Sequence, residues 1–139
     1  DVSTGKVSVL KYFAVSDSGR LINPLIVEGQ VVGGIVHGIG NALLERLVYS
    51  EEGQLISSTF MDYHLPCSTD APPIQVRHSE TPTVNNPLGA RGAGEGGVFA
   101  AVPSIINAIE DALRPSGVRP LIAPVTPERL WHLLKAYPR

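Results

Sequence analysis

The chain of 139 residues balances 11 basic against 13 acidic side chains, a net charge of −2, and has no basic block to neutralise a phosphate backbone, which excludes nucleic acid as a partner. Hydrophobic residues make up 43% of it, enough for the core of one domain or of a piece of a larger one. Its one cysteine, Cys67, forms no internal disulfide, and four scattered histidines offer no CxxC or HxxxH spacing, so no metal held by protein ligands is expected and a reducing cytoplasm is the default compartment.

The opening stretch DVSTGKVSVL has neither the positive region nor the apolar run of a signal peptide and no initiator methionine, and reads as the start of a fragment or processed chain. From Lys6 to Asp17, Val7 and Val9 alternate with polar neighbours before the run turns wholly apolar, which predicts a strand closed by the turn residues SDSGR. Asn23-Pro24 then opens a proline-free stretch with helical apolar spacing to about Leu47, a long helix with Pro24 in its first turn. The stretch is long enough for a membrane span, but Glu28, Gln30, His37 and Asn41 would each be costly in hydrocarbon. Helical spacing places Gln30, Gly34, His37 and Asn41 on one polar, small face.

Interior helical glycines cost roughly 1 kcal/mol each against alanine, so Gly29, Gly33, Gly34, Gly38 and Gly40 imply a close approach to this backbone. Either another element packs against the smooth face or a ligand lies on it. Beyond the helix, RLVYSEEGQLISSTF reads as a hairpin around Glu51–Gln54, MDYHLP as extended chain and Ile74–His78 as a second strand. TPTVNNP is a loop, and Val98–Leu113 a second helix whose Pro103 should kink it or mark its true start. A proline-rich linker, 114–125, leads to a terminal helix, Pro127–Ala136, capped by Thr126. The whole is an α+β arrangement in one unit, 1–139, with its core in 1–113.

The stretch GARGAGEGG, residues 89–97, places five glycines around one carboxylate, Glu95. Gly92–Gly97 satisfies the GxGxxG spacing, yet TVNNPL precedes it in place of a buried strand, and the acids further on, Glu110 and Asp111, lie inside a helix, so a dinucleotide cradle is disfavoured. Glycines beside a carboxylate permit positive φ and a close backbone approach to a ligand, and a glutamate gripped by main chain can serve as a base. An ordinary acid at a helix start is the competing reading.

Three blocks in order, GRLINPLIVEGQVVGGIVHGIGNALLE (19–45), FMDYHLP (60–66) and ETPTVNNPLGARGAGEGG (80–97), resemble the C-terminal part of the molybdenum-binding large subunit of the xanthine oxidase family. The carbon monoxide dehydrogenase and aldehyde dehydrogenase branch is the most similar. The resemblance implies a fold fragment with a long glycine-rich helix and a second helix on a small mixed sheet. It also implies a molybdopterin cofactor, in the cytosine dinucleotide form, carrying molybdenum, with iron–sulfur clusters and FAD on partner chains.

By the same resemblance Glu95 falls on the family's general base, which accepts the proton of the Mo–OH ligand as an electron-poor carbon of an aldehyde, N-heterocycle or similar small substrate is hydroxylated. Gly92, Ala93 and Gly94 would pass close to the molybdenum centre, and Gln30 would approach the pterin. His37 falls where relatives carry glutamine or histidine, a ligand role competing with that of a core histidine. The chain lacks the copper-binding cysteine loop of carbon monoxide dehydrogenases, and Cys67 reads as an incidental, partly buried thiol. The implied partners are the rest of the large subunit, an FAD subunit and a 2Fe–2S subunit. Apolar surface left by the missing portion favours self-association, and a non-catalytic assembly module keeping the same fold is the alternative.

Overall fold

The computed structural model of the chain describes residues 1–120 and 122–137. Its elements follow the order β1 (Tyr12–Ser16), α1 (Pro24–Leu43), β2 (Ile74–His78), α2 (Gly96–Ala112) and α3 (Pro127–Ala136), and the α+β class stands. The helix starts are written locally. Asn23 Oδ1 accepts from the Ile26 amide at 3.2 Å ahead of Pro24, and Thr126 Oγ1 accepts from the Arg129 amide at 3.3 Å ahead of Pro127. In each case a side-chain oxygen satisfies an orphan N–H and the proline occupies the position that has no use for one.

The strands β1 and β2 pair in parallel, Tyr12 opposite Ile74 through Ser16 opposite His78. The first strand is shorter than the sequence pattern predicts. Val7 and Val9 keep the alternation and pack against the core, but β2 supplies partners only for Tyr12–Ser16, and a ladder cannot outrun its partner. Beyond Ser16 the chain instead gains an antiparallel bridge, Gly19 with Ala90; a second joins Tyr49 and Leu55 across the expected hairpin.

Helix α1 ends at Leu43, earlier than Leu47, where the Leu44 and Glu45 amides both turn back to the Gly40 carbonyl at 2.8 Å. The Glu45 side chain folds under that end and takes the Tyr63 hydroxyl as donor. A Cβ on Gly40 would fall on the Glu45 carboxylate, so this glycine makes room for the latch. The stretch around Tyr63 is accordingly a turn and not extended chain, with the Asp62 and Tyr63 amides donating to the Thr59 carbonyl at 3.0 and 2.8 Å. Helix α2 starts at Gly96 and runs through Pro103. That proline faces solvent, where water can satisfy the carbonyl it leaves free.

The core lies between α1 and α2: Val31, Ile35, Ile39, Ala42 and Leu43 meet Ile105 and Ile109, and Val125 and Leu130 close one end. Here two of the helical glycines find their reason. A Cβ at Gly38 would strike the Ala101 methyl, and one at Gly34 would lie 3.1 Å from the Gly97 Cα. On the other side a Cβ at Gly97 would fall on the Val31 carbonyl oxygen. The two backbones touch. Gly29 and Gly33, in contrast, have no atom within 4 Å of a built Cβ and face outward. The smooth surface therefore divides into a packed half and an open half.

These contacts predict opposite outcomes for one substitution. Gly97→Ala and Gly38→Ala, measured by urea unfolding, should each destabilise the chain by about 1–3 kcal/mol through overpacking. Gly33→Ala meets nothing and should stabilise it by up to about 1 kcal/mol through helix propensity.

Candidate functional site

The Glu95 loop is built from its two ends. At the C-terminal end, Gly97 is pressed against α1, and Glu95 is the residue before the first turn of α2, its carbonyl accepting from the Val98 amide at 3.0 Å. At the N-terminal end, the Arg91 amide donates to the Ser18 carbonyl at 2.8 Å and Arg91 Nε to the Thr81 carbonyl at 2.9 Å. Between the ends, Gln30 of α1 donates from Nε2 to the Gly94 carbonyl at 3.4 Å. Thus the loop meets α1 where Gln30 reaches Gly94, one residue ahead of Glu95, so residues that the sequence nominates separately lie together.

The glycines act differently from the sequence expectation. Positive φ occurs within this stretch only at Gly89, at 68°. There the turn is drawn tight by bonds from the Arg20 and Thr83 amides to the Gly89 carbonyl, at 3.0 and 3.1 Å. Gly92, Gly94, Gly96 and Gly97 do not adopt positive φ. Gly97 is needed for packing, while Gly92 and Gly94 have no atom within 4 Å of a built Cβ and simply leave main chain bare. Ala93 is half-buried beside them.

Glu95 is exposed, and its side chain makes no capping bond to α2. His37 also lies exposed on α1. Cys67 is exposed rather than partly buried, its Sγ donating to Asp70 Oδ2 at 3.0 Å and lying 3.0 Å from Thr69 Oγ1. Two clefts, of about 770 Å³ between the end of α1 and α3 and about 760 Å³ beside the N-terminal segment, include none of Gln30, Gly92, Ala93, Gly94 or Glu95. The candidate site is an open face. Among the described residues no group of three or more His, Cys, Asp or Glu is arranged to hold a metal ion, and no helix is long and apolar enough to cross a membrane.

One residue of the arrangement had no sequence signal. Asp17 Oδ1 accepts from the Gly19 amide at 2.9 Å and from the Thr81 amide at 3.1 Å, tying the end of β1 to the segment after β2. Glu80 Oε2 returns the bond by accepting from the Leu21 amide at 3.0 Å. In sequence Asp17 is merely a turn former closing a strand.

Residues 1–72 match the family model described as the molybdopterin cofactor-binding domain. The chain belongs to this family. It is 45% identical over 135 residues to the nicotine 6-hydroxylase large subunit of Paenarthrobacter nicotinovorans, covering 97% of this chain and 16% of that protein. It is 35% identical to the carbon monoxide dehydrogenase large chain of Hydrogenophaga pseudoflava, covering 99% of this chain and 17% of that one. Among solved structures, quinoline 2-oxidoreductase from Pseudomonas putida 86 superposes with a TM-score of 0.93 at 43% identity, covering 98% of this chain and 17% of that chain. The Cu,Mo-CO dehydrogenase superposes at 0.92 and 33%, covering 99% and 17%. The chain thus spans about a sixth of the relatives it matches. The resemblance to molybdenum-binding large subunits, carried by the three sequence blocks, stands, and molybdopterin is the cofactor its family binds.

The geometry predicts an acid-sensitive loop anchor. Hydrogen bonds from the Thr81 hydroxyl and amide, then from the Gly19 amide, hold the Asp17 carboxyl below its ordinary value of 3.8. Because the folded pKa is the lower one, the stabilisation is complete above 3.8 and is lost as pH falls through the folded value. Stability measured from pH 6 down to about pH 2 should fall less steeply in Asp17→Asn than in the parent chain below about pH 4.

Proposed function

We propose that this chain supplies the base-bearing wall of a molybdopterin site in an oxidative hydroxylase assembled from a larger polypeptide set. The observation that carries the reading is the bond of Gln30 on α1 to the Gly94 carbonyl, in the bare Gly92–Gly94 backbone one residue ahead of the exposed Glu95. A flat pterin needs uncluttered main chain at close range. Gly29 and Gly33 on α1 and Gly92 and Gly94 opposite offer that, each lacking any neighbour where a side chain would begin. Gln30, already committed through Nε2 to Gly94, keeps its Oε1 for a donor on the cofactor. The residues present therefore fit a molybdopterin, for which we favour the cytosine dinucleotide form.

When bound, molybdenum supplies the two-electron oxidation of an electron-poor carbon. The chain's own contribution is proton transfer: the Glu95 carboxylate accepts the proton of the attacking hydroxyl and later releases it. The site is completed by the rest of the large subunit, with an FAD subunit and a 2Fe–2S subunit carrying electrons away. The substrate class we favour is the N-heteroaromatic ring, because the nicotine and quinoline enzymes resemble this chain at 45% and 43% identity, above the carbon monoxide dehydrogenases at 35% and 33%. Ring carbons beside nitrogen are electron-poor and suit attack by an oxygen nucleophile.

In the assembled enzyme, Glu95→Gln should leave molybdenum content, measured by mass spectrometry, near the parent value and lower kcat by about 10²–10⁴-fold. Equal loss of metal and turnover would make Glu95 a structural residue and end the proposal. Gln30→Leu should do the reverse, lowering cofactor content in proportion to activity while turnover per molybdenum stays near normal.

A further inference from the structure

The four residues 92–95 belong to no helix or strand. Among the described residues none of the 92–94 amides donates a backbone hydrogen bond, and the one bond reaching this segment from α1 is the 3.4 Å contact of Gln30 with the Gly94 carbonyl. Their path is imposed by the two ends. The Gly97 end is immobile because backbone meets backbone there. The Arg91 end hangs on the Ser18 and Thr81 carbonyls, with the Arg20 amide reaching Gly89 alongside.

Ser18 and Thr81 belong to separate arms of the chain, joined by the Ser79 amide on the Ser16 carbonyl at 2.9 Å, by the Leu21 amide on Glu80 and, next to the residues that hold Arg91, by Asp17. Asp17 Oδ1 accepts both the Gly19 and the Thr81 amide, and the Arg91 guanidinium lies close enough to favour the carboxylate charge. Without the Asp17 carboxylate both amides lose their acceptor, and the tie nearest to the two carbonyls that hold Arg91 is gone.

We propose that Asp17 is the positioning residue of the Glu95 loop, fixing its Arg91 end so that the carboxylate of Glu95 is presented at a constant place over the flank of α1. The inference rests on the reading of Glu95 as the base, since it is the base whose placement matters. It assigns a catalytic consequence to a side chain that touches neither cofactor nor substrate. A displacement of about 1 Å at a reacting group is enough to cost about 10²-fold in rate.

The test uses the assembled enzyme carrying Asp17→Ala, Asp17→Asn or Glu95→Gln, with kcat and KM expressed per molybdenum and hydrogen exchange followed by mass spectrometry. In Asp17→Ala, exchange should accelerate in peptides spanning 86–98 and stay unchanged in those spanning 24–43. Its kcat per molybdenum should fall by about 10²-fold with KM nearly constant. Asp17→Asn keeps the acceptor oxygen and should recover most of that loss. Should Asp17→Ala not assemble, Thr81→Val, which removes a donor to Asp17 but keeps the amide, takes its place with the same readouts.

Unchanged exchange at 86–98, faster exchange with kcat intact, a loss matched by lost molybdenum, or Asn as damaging as Ala would each overturn the proposal. Full turnover in Glu95→Gln would instead remove the base reading, and with it the catalytic part of the inference, while the exchange comparison still decides whether Asp17 orders the loop.

Discussion

The contact on which this structure turns is that of the Gly97 backbone with the Val31 carbonyl, where no side chain can stand between two helices. Interiors are packed as densely as organic crystals, so two backbones in contact cannot slide by a fraction of an ångström without a clash or a void. Helix α2 is thereby referenced to α1 at its very first turn. Everything ahead of Gly97, Glu95 above all, inherits that reference. A glycine at the second position of a helix, poor for propensity, is here the condition for placing an acid.

The remaining elements serve to bring the other end of the same loop to the same frame. Parallel pairing of β1 with β2 sets Ser16 beside His78, after which the chain crosses into antiparallel contact with Ala90. The short segment 17–21 is thus flanked on one side by the chain leaving β2 and on the other by the turn that leads into the loop. A scaffold with an open face beside α1 results.

Legibility in the sequence tracked the range of the interactions. The starts of α1 and α3 and both bounds of β2 were readable to the residue, because caps, N1 prolines and strict alternation are signals contained within a few positions. The end of α1 was not, since it depends on Glu45 meeting Tyr63 from a distant turn. Nor could Gly34 and Gly38 be told from Gly29 and Gly33. All four carry the same propensity cost, and only the position of α2 decides which are covered. The nomination of Glu95 and Gln30 came from the pattern of blocks, but Asp17 stayed invisible because its second donor, Thr81, is 64 residues away.

The latch of Tyr63 on Glu45 has a consequence at the alkaline end of the pH range. The hydrogen bond to the Glu45 carboxylate, then desolvation, then the Glu45 charge raise the tyrosine above its ordinary value of 10.0. The fastening therefore holds below that value and is lost as pH rises through the raised one, when a phenolate would face a carboxylate. Base thus weakens a fastening at the far terminus of α1, whereas acid weakens the loop anchor. The two extremes of titration loosen different fastenings, so losses of stability in acid and in base need share no structural cause.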